Sequence, residues 1–418
     1  MRRLTSLILW LIILLGIVLR MVDVGIPDFS TDEAQFALGA SAAQPHIGMA
    51  LFAFSQAIFG PSILAARSVS ILLGIASIIL LFFIARTFLT KDSSLLVAAL
   101  AGIFPTHILF SRLAYLSIPL CFAWLLVLLT FLKAQKDTRW LIPLFLASVF
   151  ATFIKTQGLL LPLLLLFGTI LPLRKSKLSI VNCQLSIVLA LSLIPIGLYI
   201  VTNPGILATL LLYGGNMYGL SNFIDRIVTL ISLWWGLLPV LLIFGFVSIT
   251  HAREVPWPVW ILIGIGTFIG LLLGPAHQYY TTYLVFWTIP IALLILKWKP
   301  VLQGIAIAGV LLSTLSIVGP RSFMLNPNLY YLYQEEGYWN THADTLNRIL
   351  KDEEEVVALG PAGHHIRWYI EPRVLVGDTM DIESRSGNYL LLLAEEAKRM
   401  AGAQVLYTDE KVSILKQR

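Results

Sequence analysis

Long apolar runs recur from residue 4 to residue 319, and nothing else constrains this chain as strongly. A membrane-spanning helix needs roughly 20 mostly apolar residues. Scanning on that length gives eleven candidate spans: 4–24, 62–85, 94–110, 114–132, 140–154, 158–173, 181–201, 227–249, 256–275, 280–296 and 300–319. Composition agrees, with 58% hydrophobic and 12% charged residues, where soluble chains carry about 25% charge. That excludes a soluble enzyme, a disordered regulator and, despite the net charge of +6, a nucleic-acid binder. Cys121 and Cys183 lie in or beside apolar runs and offer neither a disulfide framework nor a zinc-type spacing.

Basic residues orient the spans, because short cytoplasmic loops are enriched in Lys and Arg. Arg2 and Arg3 precede the first span, and every second connection is basic: Arg86 and Lys91; Lys133, Lys136 and Arg139; Arg174, Lys175 and Lys177; Arg253; Lys297 and Lys299. The alternate connections hold chiefly Arg20, Arg112, Lys155 and Arg226. The pattern predicts a multi-pass plasma-membrane protein with a cytoplasmic N-terminus and an extracytoplasmic tail. An uncleaved first helix fits better than a signal peptide, since no small-residue cleavage site follows residue 20. No Asn-x-Ser/Thr sequon occurs, which fits a prokaryotic membrane.

The predicted architecture is a polytopic α-helical body, residues 1–319, and a small extracytoplasmic α/β domain, residues 320–418. Charge divides the same way. Residues 1–319 hold 18 Lys+Arg and 8 Asp+Glu, whereas the remainder holds 11 and 15. Two outer connections, 25–61 and 202–226, are too long for simple turns. In the first, residues 33–43 and 47–59 read as helices apolar on one side, suited to the headgroup layer; a pair of half-spans is the alternative. In the tail, a helix is expected over 341–352, strands at 356–360, 373–377, 404–408 and the final VSIL, and a helix over 388–401.

Acids are scarce in the body, so those on the outer face stand out. Asp23, Asp28, Asp32 and Glu33 crowd the first outer loop, and Asp32-Glu33 opens its first helix. Helix capping by Thr31 or Asp32 is the plainer reading of such a pair taken alone, and capping is compatible with catalysis. On the same face Arg67 begins the second span, Arg112 follows the third and Lys155 ends the fifth. One such cation snorkels to headgroups by default; several converging make a pocket for an anionic lipid head. His277, Tyr279 and Tyr280 add polar groups at the outer end of the tenth span, where an aromatic belt is the plainer reading.

In order, these features resemble the GT-C superfamily of polyprenyl-phosphate-sugar-dependent glycosyltransferases, in particular the branch of protein O-mannosyltransferases and aminoarabinose transferases. The resemblance rests on Thr31-Asp32-Glu33-Ala34 in the first outer loop; on Arg67-Ser68-Val69-Ser70 with Gly74 in the second span; and on the Ser111-Arg112 turn. Lys155-Thr156-Gln157-Gly158 and His277-Gln278-Tyr279-Tyr280 followed by Pro290 complete it, over roughly residues 5–300. Two places depart from it: Gln44-Pro45-His46 stands where many relatives have His-Pro-Pro, and Leu116-Ser117-Ile118 where many have an acid.

The resemblance implies transfer of a sugar from a polyprenyl-phosphate donor to an acceptor hydroxyl at the outer face, with inversion. The acceptor is then a glycolipid, a glycan or a protein. Asp32 is expected as general base and Glu33 as its positioning partner. Arg112 and Lys155 are expected to stabilise the leaving phosphate, with Arg67, His277 and Tyr279 also on the donor. No Asp-x-Asp occurs, so no metal or other cofactor is expected to be obligatory, a divalent ion remaining compatible. The competing reading is a transporter or flippase, which calls for ionisable groups near mid-bilayer and often an internal repeat; no obvious repeat is present.

Overall fold

The computed structural model describes residues 2–22, 24, 31–39, 45–170, 180–203, 252–273, 278–318 and 338–351, with five strand segments between 355 and 416. The chain forms two compact units, Met1–Val24 with Ser41–Tyr330 and Gly25–Ala40 with Tyr331–Arg418. In chain order the α-helices are α1 (Arg2–Met21), α2 (Thr31–Ala37), α3 (His46–Phe59), α4 (Ile63–Arg86), α5 (Lys91–Gly102), α6 (Pro105–Ser111), α7 (Ser117–Ala134), α8 (Leu141–Ile154), α9 (Leu160–Ile170), α10 (Ile180–Thr202), α11 (Trp257–Leu273), α12 (Thr288–Leu296), α13 (Pro300–Val318) and α14 (Tyr338–Ile349).

Among the described residues, α4, α7 and α10 are each long and apolar enough to cross a membrane, and α5 with α6 makes a fourth if the bent pair is one crossing. Shorter apolar helices occupy the other expected runs, except 227–249, which lies outside the described residues. α7 is the centre of the larger unit and is buried along almost its whole length. α4 buries Ala66, Arg67, Ser70, Ile71, Gly74, Ser77, Ile78 and Leu81, a stripe repeating every three to four residues, as a one-sided helix should. The small residues in that stripe bring α4 close to its neighbours. At the hairpin between α7 and α8, Asp137 Oδ1 accepts from Arg139 N at 3.0 Å, and the Lys133 ammonium lies 3.9 Å from the Trp140 ring centre. Outward-facing Trp10, Phe54 and Ile142 leave an apolar surface suited to lipid.

Two expected spans are not continuous α-helices. The run 94–110 breaks between Gly102 and Pro105, and α5 and α6 meet at 56°. Pro105 opens α6 because its missing N–H costs nothing in a first turn, where an N–H has no helical acceptor. The run 280–296 begins as a 3₁₀ segment, Gln278–Trp287, before α12. Pro290 supplies no N–H to the Phe286 carbonyl, which weakens α-helical continuity there. The helix expected over 33–43 is also shorter: α2 begins at Thr31 and ends at Ala37, and Gly39 has φ +66°. Residues 40–44 lie outside the described residues.

In the second unit, β1 (Glu355–Leu359), β2 (Arg373–Gly377), β3 (Tyr389–Leu393), β4 (Gln404–Thr408) and β5 (Val412–Lys416) form one sheet in the order β2-β1-β3-β5-β4. β1 runs parallel to β2 and β3, while β5 is antiparallel to both β3 and β4. The four expected strands are β1, β2, β4 and β5. The helix expected from residue 388 is corrected in its first part, because Tyr389–Leu393 is the central strand. This strand pairs in parallel with β1 and antiparallel with β5. α14 begins at Tyr338, earlier than the expected 341.

Candidate active site

Two chain turns present the cations expected on the donor. Arg112 caps the C-terminus of α6 with φ −88° and ψ −3°, and its backbone N–H bonds the Leu109 carbonyl at 3.1 Å. Lys155 follows α8 in an extended conformation, φ −155° and ψ 149°, before the 3₁₀ turn Thr156–Leu159. Both side chains are almost wholly buried, at 3% and 1% exposure. Cations near the C-terminal carbonyls of helices are favoured by the helix dipole, which explains their placement but not their burial. Arg67, in the second turn of α4, is also buried, and its Nη1 donates to the Val24 carbonyl at 2.8 Å. One of its donors therefore fastens the chain just beyond α1.

Gly48, at the start of α3, packs against Ile154, which precedes Lys155, and against Leu116, four residues after Arg112. A Cβ there would lie 2.3 Å from the Ile154 carbonyl oxygen and 2.7 Å from Leu116 Cδ2. The start of α3, the stretch after Arg112 and the end of α8 are therefore in direct contact. The 3₁₀ segment Gln278–Trp287 forms another wall. The Lys155 ammonium lies 4.4 Å from the centre of the Tyr280 ring, and Gln157 Nε2 donates to Tyr280 Oη at 3.2 Å. Thr106 Oγ1, on α6, donates to the Thr281 carbonyl at 3.1 Å. Behind Tyr280, Tyr283 lies 6.3 Å away between ring centres, and Trp124 lies 4.9 Å from Tyr283. Trp124 Nε1 donates at 3.3 Å to the carbonyl of Gly158, in the Lys155 turn.

The result is a buried cationic site with an aromatic wall, built on helix ends and rigid turns. An ammonium over a desolvated ring is stabilised by roughly 2 kcal/mol, so Tyr280 orients Lys155 as well as shielding it. Polar atoms around this wall, Gln157 Oε1 and Tyr283 Oη, are buried without a hydrogen-bond partner among the described residues. Such groups are costly in isolation and suit a polar ligand. Gln157 and Tyr283 were not expected from the sequence. Gln157 sits inside the recognised Lys155 turn, whereas Tyr283 reads as an ordinary belt aromatic.

The expected acidic pair lies on α2, in the second compact unit. Glu33 is buried, and so are Ala34, Phe36 and Ala37. His277 and the side chains of Asp32 and Tyr279 lie outside the described residues.

With this geometry in place, comparison with known proteins shows the fold: the chain shares that of solved glycosyltransferases. The model of the dolichyl-phosphate-mannose-protein mannosyltransferase family matches residues 43–199, the segment that carries Arg67, Arg112 and Lys155. Among solved structures the chain is similar to ArnT from Cupriavidus metallidurans bound to undecaprenyl phosphate (TM-score 0.67, 14% identity, 98% of this chain and 97% of that one). It is also similar to the Archaeoglobus fulgidus oligosaccharyltransferase in its apo form (TM-score 0.59, 11% identity, 94% and 70%). A third likeness is to the mycobacterial arabinofuranosyltransferase AftD (TM-score 0.51, 14% identity, 100% and 40%). No curated protein sequence matches the chain. The resemblance carried by the ordered motifs is thus shared by the family model and the fold.

Proposed function

We propose that this chain is a multi-pass membrane glycosyltransferase that moves a sugar from a polyprenyl phosphate to an acceptor hydroxyl on the extracytoplasmic side. The observation that carries the reading is the burial of two cations at helix ends, Arg112 after α6 and Lys155 after α8, with the Lys155 ammonium against the Tyr280 ring, in a fold shared with ArnT. Two fixed cations in a dry site stabilise a departing lipid phosphate without reorganising. The ArnT structure named above holds undecaprenyl phosphate, which is the donor class proposed for this chain.

In this mechanism Asp32 takes the proton from the acceptor hydroxyl as its oxygen attacks the anomeric carbon. The bond from that carbon to the phosphate oxygen breaks on the opposite side, inverting the centre. The phosphate leaves as an anion held by Arg112 and Lys155 and needs no acid. Glu33 positions Asp32 or the acceptor, while Arg67, His277 and Tyr279 complete the donor site. The positive-inside pattern supports a cytoplasmic N-terminus and an outer 320–418 domain. No metal is required in this scheme.

The test is glycosyl transfer by the purified protein from a panel of polyprenyl-phosphate sugars, comparing wild type with Asp32→Asn. One donor should be consumed by wild type, and the variant should lose at least about 100-fold, the usual scale for a general base. Normal transfer by a folded Asp32→Asn protein refutes the base assignment. Movement of lipid-linked sugar across vesicles without any transfer refutes the enzyme reading in favour of transport.

A further inference from the structure

A third buried arginine lies behind the Arg112 turn. Arg20, at the end of α1, is fully buried, and its partners among the described residues include no carboxylate. Its Nη1 donates to the Gly16 carbonyl at 2.9 Å and to the Gly102 carbonyl at 3.3 Å, the latter beside the break between α5 and α6. Its Nη2 donates to His107 Nδ1 at 2.7 Å. An arginine cannot accept, so His107 Nδ1 is the acceptor and the neutral ring carries its proton on Nε2.

From His107 the contacts lead to Arg112. The His107 carbonyl accepts from Ser111 Oγ, and Ser111 immediately precedes Arg112. Gly74 of α4 closes the other side. A Cβ there would lie 2.4 Å from Ser111 Oγ and 3.2 Å from Arg20 Nε, so α4 presses on both ends of the chain of contacts. Arg20, His107 and Ser111 are each fully buried.

Stability alone accounts poorly for this arrangement. Arg20 Nε and His107 Nε2 are two buried donors without a partner among the described residues, and apolar side chains of similar volume often serve stability as well or better. We infer that Arg20 is a positioning residue: through His107 it fixes the broken end of α6 so that Arg112 points at the donor phosphate. This rests on the reading of Arg112 as a phosphate ligand. A fork with two fixed directions suits the task, since it engages the α5 carbonyl and the α6 imidazole at once.

The probe is undecaprenyl phosphate binding to the full chain in lipid nanodiscs, with thermal stability followed in parallel. Arg112→Ala and Arg20→Lys should each weaken binding by about tenfold, and the double variant should lie within about twofold of Arg112→Ala alone, because residues acting through one contact are not additive. His107→Ala should match Arg20→Lys, whereas His107→Asn, which keeps an acceptor near the Nδ1 position, should restore binding to within about threefold of wild type. The histidine pair decides the matter if Arg20→Lys fails to fold. Wild-type binding by Arg20→Lys overturns the proposal, and so does an equal loss whether or not Arg112 is present. Wild-type binding by Arg112→Ala overturns the phosphate-ligand reading first, and the proposal with it.

Discussion

The most exacting test of the site's construction is Gly158→Ala. A Cβ at Gly158 would lie 1.8 Å from the Ala151 carbonyl oxygen, 2.5 Å from its carbon and 3.1 Å from Thr152 N. Carbon and oxygen in contact sit about 3.3 Å apart or more, so the turn and the end of α8 must separate by roughly 1.5 Å. Both sides of the clash are backbone, and no rotamer change relieves it. The Gly158 N–H bonds the Lys155 carbonyl at 2.7 Å, so Lys155 moves with the turn. Overpacking of this kind costs about 1–3 kcal/mol, and a misplacement of about 1 Å at a catalytic group costs up to about 100-fold in rate. Thermal unfolding in detergent and transfer from the preferred donor measure the two effects separately. Gly264, in α11, is the control. Nothing lies within 4 Å of a Cβ there, and Gly264→Ala should change stability by no more than about 1 kcal/mol and leave transfer intact. A Gly158→Ala protein with wild-type Tm and rate would refute the close-packed turn and the argument that Lys155 depends on it.

Tyr280→Phe should retain most activity, because the ring under Lys155 survives while the Gln157 hydrogen bond is lost, at a cost of about 1 kcal/mol. Tyr280→Ala removes the ring and should weaken undecaprenyl phosphate binding by about tenfold or more, read in the same nanodisc assay; equal losses in the two variants would refute a role for the ring. Transfer should be insensitive to EDTA after dialysis, and recovery of a lost activity by Mg²⁺ or Mn²⁺ would overturn the metal-free mechanism.

Much of the helical unit is legible in the sequence because lipid imposes one rule along the chain. Every backbone polar group in the bilayer must be satisfied locally, so apolar length marks where the helices form. Arg112 and Lys155 are legible for a related reason, as charges retained where charge is expensive. What length cannot reveal is where a span breaks. The bend at Gly102–Pro105 and the 3₁₀ start of the run before Pro290 depend on which neighbours take up the displaced backbone groups. Arg20 was equally hidden. In sequence it is a cation at the end of an apolar run, which ordinarily reaches for headgroups, and only the fold reveals the two carbonyls and the imidazole that hold it inward. Tyr389–Leu393 misleads because a Leu-rich run suits a helix as well as a strand, and pairing with β1 and β5 decides between them.

The contacts of Arg20 also bear on how freely α1 could be exchanged. By composition its 20 residues are an interchangeable anchor, and any apolar helix with leading arginines would thread the membrane in the same sense. Arg20 makes this one a bespoke part: in the proposed topology the first helix, besides anchoring the chain, props the turn that carries Arg112. A chimera with a borrowed anchor would thus insert correctly yet lack that prop, separating membrane delivery from the assembly of the site.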